Sequence, residues 1–370
     1  MPRFLAGHFF WFETFAKDDK ELQHIKRFRL MNFAVMVSPA LLAVFAVIVA
    51  VPSAWAQTSS PAPISAVQND APAQSFREVV DETGRTVRIP QPVMRIVSLA
   101  PSLTETVYAL GLQDRLVGDT DYCDYPPEAQ KKQKVGGAIN PSLEVIAHLR
   151  PDVVLVTRHL NTLDTVHSLD ALGIPSYATD PRNVDEIVAS AKRLGDVLGA
   201  AEAGAALTEE LQHRLDVLRQ KIGALPPRRV LFVVWTDPLI SIGKDTFIAD
   251  ALRRAGAVSI IDSKQDWPQV NLEEVARLQP EVLVFADSHS ETTAQHLELL
   301  ATRPAWQILN AVRDRNFAVI SEAVNRPAPR IVTAIEELAE KLHPEAFVEK
   351  RALGHVSRNA DSDAKCPCAR

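Results

Sequence analysis

One segment of the chain occurs twice. SLEVIAHLRPDVVLV at residues 142–156 aligns without gaps on NLEEVARLQPEVLVF at residues 271–285, matching Leu143 with Leu272, Glu144 with Glu273, Ala147 with Ala276, Leu149 with Leu278, Pro151 with Pro280 and Val153 with Val282. Each copy reads as a capping residue, Ser142 or Asn271, then a short helix, a proline turn and a buried strand. A chain that carries this unit in both halves is constrained towards two similar α/β lobes. Its 370 residues with 46% apolar content have room for them, because single cores stop growing at roughly 250–300 residues.

The pattern around the repeat agrees. Strand-like apolar runs at residues 95–100, 153–156 and 175–179 alternate with helical patterns that end at Gly111 and Gly173, and alternation of this kind marks parallel α/β layers. The second half repeats the scheme with strands at 230–234, 282–285 and 317–320. Ahead of the first lobe, FREVVDETGRTVRI predicts a hairpin about a D-E-T-G turn. Between the halves, residues 183–222 are almost continuously helical in pattern, interrupted only by Gly195, Gly199 and Gly204. Ala206, Leu207, Leu211, Leu215 and Leu218 recur at helical spacing, so residues 202–222 form a helix with one apolar stripe. Such a helix is about 30 Å long and can bridge two lobes as a stiff strut. The expected organisation is a leader and signal over 1–56, a linker over 57–75, an N-terminal lobe over 76–182, connecting helices over 183–223, a C-terminal lobe over 224–345 and a polar tail over 346–370.

Residues 33–56 carry no charge, follow Lys26, Arg27 and Arg29, and end in Ala54 and Ala56. This order reads as an export signal cut after Ala56; the alternative is a retained membrane anchor that carries the two lobes as a sensory binding module. The cysteines are Cys123 in the body and Cys366 and Cys368 in the tail, too few and too oddly numbered for a disulfide framework. With a formal net charge of -6 and interspersed acids and bases, the chain has no basic stripe for nucleic acid. Phosphate-cradling loops and nucleophile elbows are missing from the sequence, and His148, His159, His167 and His289 pair at no metal-ligand spacing. A binding protein without catalysis, metal or cofactor of its own is the expectation.

RIVSLAPSLTETVYALGLQDRLVGDTDYCDYPPEAQKKQKVGG followed by NPSLEVIAHLRPDVVLV resembles the first lobe of the cobalamin-binding branch of a family of ABC-importer receptors that also binds iron-siderophores and haem. WPQVNLEEVARLQPEVLVF, PAWQILNAV and the PRI at residues 329–331 are similar to landmarks of its second lobe. The likeness covers residues 77–343. It implies two Rossmann-like lobes bridged by one long helix, a small-molecule ligand in the cleft between them, a monomer in the periplasm, and delivery to an inner-membrane permease.

The resemblance also implies roles. A glutamate from each lobe meets permease arginines in the family, and Glu144 and Glu273 hold equivalent repeat positions; the alternative is a carboxylate favoured at a helix N-terminus. Tyr122 follows a strand, Trp235 ends one, and Trp267 precedes the second repeat, so their rings suit a corrin or haem face. Glu322 and Arg326 stand before the last helix, where Arg326 suits a ligand's polar rim or else an interlobe or surface ion pair, with Arg330 structural or ligand-binding. Trp306 reads as core. The chain departs from the cobalamin binders at Gly136, Gly137, Ala138 and Ile139, where they carry a tryptophan, and at Thr157, where they carry another aromatic.

Overall fold

The computed structural model describes residues 75–287 and 290–348. The expected signal, nearly all of the linker, His289, Cys366 and Cys368 lie outside them. The predicted hairpin is present: β1 (Ser75–Val80) pairs antiparallel with β2 (Thr86–Gln91). Gly84 turns the chain at φ 88° while Asp81 Oδ1 accepts the N–H groups of Thr83 and Arg85, each at 3.0 Å. Glycine and aspartate supply what such a turn needs.

The first lobe contains β3 (Ile96–Ser98), α1 (Pro101–Ala109), β4 (Leu116–Asp119), β5 (Gln133–Lys134), α2 (Leu143–Leu149), β6 (Val153–Thr157), α3 (Leu163–Ala171) and β7 (Ser176–Thr179). Its five strands are parallel in the order β5-β4-β3-β6-β7. Val153 and Leu155 enter a core with Ile96, Leu103 and Tyr177, whereas Val154 and Val156 enter the opposite core with Val97, Ile146 and Leu169. Burial of both faces is why this strand reads as an unbroken apolar run. β4 is the strand that Tyr122 was expected to follow, whereas β5 was not evident in the sequence, because it is two residues long and polar.

Two helices connect the lobes, α4 (Val184–Val197) and α5 (Ala201–Ile222). The 22-residue α5 is the expected strut, and α4 runs back along it as the other arm of a helical hairpin. Each arm serves both lobes: Val184, Ile187 and Val188 of α4 pack in the second-lobe core while Leu194 and Val197 pack in the first, and Leu207 of α5 touches both. Gly195 and Gly204 are where the arms cross, and Gly199 turns the chain between them at φ 73°. A Cβ on Gly195 would lie 2.8 Å from Gly204 Cα, so both positions must remain bare for the backbones to approach.

The second lobe contains β8 (Arg228–Val233), β9 (Trp235–Thr236), β10 (Leu239–Ile240), α6 (Phe247–Arg254), β11 (Ala257–Ser259), α7 (Leu272–Leu278), β12 (Val282–Asp287), α8 (Ser290–Thr302), β13 (Phe317–Ser321) and α9 (Ile331–Leu342). Its main sheet is parallel in the order β11-β8-β12-β13. The repeat extends to atoms. Arg150 and Gln279 both leave their helices at φ 44°. Arg95 caps the carbonyl of Leu149 at 2.7 Å, as Arg229 caps that of Leu278 at 2.7 Å, and Asp152 and Glu281 each accept a backbone N–H from the adjoining strand. In both sheets the chain goes to one side of its first strand and returns on the other. Strand order therefore reverses between β3 and β6 and between β8 and β12, and the crevice beyond the carboxyl ends at such a reversal is where open α/β sheets take ligands.

Candidate ligand cleft

The lobes meet through charges. Glu105 in α1 is the only ionic residue between Arg95 and Asp114, and its side chain is 3% exposed. Arg330 donates Nε and Nη2 to its two oxygens at 3.0 and 2.9 Å, and Arg326 Nη1 donates to it at 2.8 Å. Arg326 Nη1 also donates to Asp124 Oδ1 at 2.7 Å, and its Nη2 lies 3.1 Å from Glu322 Oε1. Burial opposes a charge on Arg326, but Asp124, Glu322 and Glu105 together hold its pKa above the ordinary value. The Arg330 guanidinium lies over the Tyr125 ring, 3.8 Å from its centroid, a geometry that adds cation–π attraction. Arg326 and Arg330 thus form the interlobe ion pair that was the alternative reading of their sequence. Glu322 and Arg326 are brought together. Glu105 and Asp124 were missed; a lone carboxylate in an otherwise uncharged, core-forming stretch was the available signal, since a buried charge requires a partner.

The loop bearing Tyr122 and Asp124 is anchored from below. Lys134 Nζ donates to Asp119 Oδ1 at 2.8 Å and to the carbonyls of Thr120, Cys123 and Ala129 at 3.2, 3.2 and 3.3 Å. The Cys123 sulfur sits within 3.1 Å of Thr104 Oγ1 and 3.2 Å of Thr120 Oγ1. Burial pushes that thiol's pKa up, so it is a packed structural cysteine rather than a nucleophile. Asp119 is fully buried, and its Oδ2 has no hydrogen-bond partner among the described residues. Burial outweighs Lys134 and raises its pKa from 3.8 to about 6.

Because the folded value of Asp119 exceeds the unfolded one, the native state holds a proton between pH 4 and 6 that the unfolded chain has lost. Stability from this group is full below the unfolded value and declines as pH rises to about 6. In Asp119→Asn the decline is absent. The stability difference between variant and parent, measured by urea unfolding at pH 4 and pH 7, shifts by about 2 kcal/mol in the variant's favour at the higher pH. A constant difference across that range would show that Asp119 titrates normally.

Tyr122 lies beside the glycine loop, its Cε2 3.9 Å from where a Gly137 Cβ would stand. Gly136 has φ 91°, which strains any residue that carries a Cβ, and a Cβ on Gly137 would come within 2.6 Å of Asn140 Oδ1, so that side chain would have to move. Asn161 ties three strand-end segments together: its Oδ1 accepts from Thr157 N at 2.7 Å and its Nδ2 donates to the carbonyls of Leu99 and Ala138 at 3.0 and 2.7 Å. Thr157 itself is buried. In the second lobe, Trp235 is on β9, whose partner β10 bridges to Gln269, and the Ser241 N–H donates to the Pro268 carbonyl at 3.1 Å. Trp235 and Trp267 therefore belong to one ribbon. Trp235 Nε1 donates to the Asp237 carbonyl at 2.8 Å, and Trp267 packs against the lobe's core. Trp306 is buried in that lobe as core, as the sequence predicts.

Glu144 and Glu273 are exposed at the starts of α2 and α7, and neither has an ion-pair partner among the described residues. Ser142 Oγ accepts from Val145 N at 3.3 Å and Asn271 Oδ1 from Glu273 N at 2.8 Å, so both predicted caps are present. Glu274 points to Arg277, 3.9 Å away, instead of closing a capping box. Each helix leads into a strand of a parallel sheet and runs against it, which places both glutamates on the carboxyl-end side of their sheets. A groove of about 400 Å³ lined by Leu143, Ala147 and Leu172 adjoins Glu144, and a hollow of about 840 Å³ lined by Leu272, Arg303 and Trp306 lies beside α7. Among the described residues no cluster of His, Cys, Asp and Glu could hold a metal.

Residues 96–324 match the periplasmic binding protein family. The chain belongs to that family. Among its relatives, the vitamin B12-binding protein of Vibrio cholerae is 31% identical over 256 residues, covering 68% of this chain and 90% of its own length. An uncharacterised ABC transporter substrate-binding lipoprotein of Bacillus subtilis is 30% identical over 297 residues, covering 76% and 92%. The crystal structure of the Vibrio cholerae periplasmic vitamin B12 binding protein superposes with a TM-score of 0.61 at 29% identity, covering 69% of this chain and 98% of that one. A periplasmic haem binding protein from Pseudomonas aeruginosa gives 0.61 at 25% identity, covering 68% and 93%. As in these periplasmic binding proteins, the fold is two α/β lobes.

Proposed function

We propose that this protein is the exported substrate-binding component of an ABC importer, and that it captures a corrinoid and delivers it to a membrane permease. The observation that carries the reading is likeness to vitamin B12-binding proteins over both lobes. The side chains at the strand ends suit it. Tyr122, Trp235 and Trp267 offer aromatic area to a flat macrocycle, and Glu322 and Arg326 offer polar groups to its rim. Closure is limited, because a stiff helical hairpin rather than crossing strands joins the lobes. Glu144 and Glu273 present one carboxylate per lobe to permease arginines. Export by the 33–56 segment, cleavage after Ala56 and a monomeric state complete the proposal.

Gly136, Gly137 and Thr157 leave the first lobe with fewer aromatics than a cobalamin binder carries, and this favours haem or a ferric siderophore as the second reading. The exported protein is titrated with cyanocobalamin, haemin and a ferric siderophore, with tryptophan fluorescence as the readout. Saturable quenching by cyanocobalamin is expected. Quenching by haemin or the siderophore alone would move the assignment to that ligand, and quenching by none would end the proposed ligand class.

A further inference from the structure

Arg326 is the interlobe arginine that reaches three different carboxylates. Its Nη1 is shared by Glu105 at 2.8 Å and Asp124 at 2.7 Å, and its Nη2 faces Glu322 at 3.1 Å. Counting Arg330, two guanidiniums stand against three carboxylates, a balance of one negative charge. The three acids differ in their freedom. Glu105 is 3% exposed and doubly held by Arg330, whereas Asp124 is 51% exposed and its only ion-pair partner among the described residues is Arg326. Asp124 also belongs to the loop that carries Tyr122, so it stands at the first-lobe edge of the contact and reaches across to the second.

A ligand carboxylate that approaches Arg326 must displace Asp124 and then lie beside Glu105 and Glu322. Like charges at such separations repel, and in a partly buried site the repulsion is weakly screened. An uncharged amide donates to these carboxylates without such a penalty. We propose that Asp124 acts as a charge filter for the cleft: it occupies Arg326 so that ligands with amide rims are admitted and ligands with carboxylate rims are disfavoured. This inference rests on the reading of the cleft as a macrocycle site and specifies the rim chemistry it accepts.

The test uses a matched pair of ligands, cyanocobalamin and its monocarboxylate with one peripheral amide hydrolysed, which differ by a single charge. In the exported protein at low salt, the ratio of their affinities is expected to favour the amide at least tenfold. In Asp124→Asn, which keeps the shape and removes the charge, the ratio falls to about threefold or less. Glu128→Gln removes a charge from the same loop without touching Arg326 and leaves the parent ratio. A ratio unchanged in Asp124→Asn, or a parent protein that prefers the acid, overturns the filter while leaving the corrinoid assignment in place. If neither corrinoid binds, the corrinoid assignment fails, and the filter is then judged on haemin, a dicarboxylate. Asp124→Asn must raise haemin affinity at least fivefold, and no rise overturns the filter there too.

Discussion

Replacing Glu105 with alanine is expected to lower the melting temperature by roughly 6–20 °C. The carboxylate is buried and accepts from Arg326 and Arg330 at once. Removing Glu105 leaves the Arg330 guanidinium without its carboxylate, while Arg326 keeps Asp124 and Glu322; breaking a buried pair costs about 3–5 kcal/mol, and each kcal/mol moves the midpoint by about 2–4 °C in a domain of this size class. Each lobe keeps its own cores. Part of the loss therefore appears as looser closure, read as a larger radius of gyration in solution scattering. Glu105→Gln, which retains an acceptor, loses less. Arg330→Ala loses less again, because Arg326 continues to pair with the carboxylate. A melting temperature unchanged in Glu105→Ala would mean that the lobes are held by the helical hairpin alone.

Reversing both docking carboxylates, Glu144→Arg with Glu273→Arg, is expected to reduce ligand-dependent stimulation of the permease's ATP hydrolysis by more than tenfold while ligand affinity stays within twofold. Both side chains are exposed and neither closes an ion pair among the described residues, so the fold does not depend on their charge. At an interface with arginines, reversal replaces attraction by repulsion in each lobe, a change of several kcal/mol in total. Each single reversal keeps one correct contact and gives an intermediate loss. Reconstituted permease in proteoliposomes supplies the measurement, and full stimulation by the double variant would remove these glutamates from docking.

Much of this molecule was readable in its residues. The repeated segment specified matching helix–turn–strand units, and the structure adds that their equivalent positions, from Ser142 and Asn271 at the caps to Arg150 and Gln279 at the exits, adopt equivalent conformations. Unbroken apolar runs declared strands buried on both faces, because only a doubly covered strand needs every side chain apolar. Helical periodicity found α5, but it could not say why glycines interrupt the pattern around Gly195 and Gly204. That required the crossing of α4 and α5, a contact between backbones that no local pattern encodes.

The cleft divides along the same line. Local signals placed Tyr122 after a strand and Trp235 at the end of one, where such sheets expose their side chains, and set Trp267 before the second repeat and Glu322 and Arg326 before the last helix. Which charge faces which was decided only by tertiary structure. Glu105 and Arg330 are separated by 225 residues in sequence, and Asp124 and Arg326 by 202. Pairing at that range follows from how two independently formed lobes are set against each other, and hydrophobic patterning carries no record of it. By itself the sequence determined two α/β lobes and the residues available at their edges; the docking of one lobe on the other decided that Arg326 is already engaged by three carboxylates before any ligand arrives.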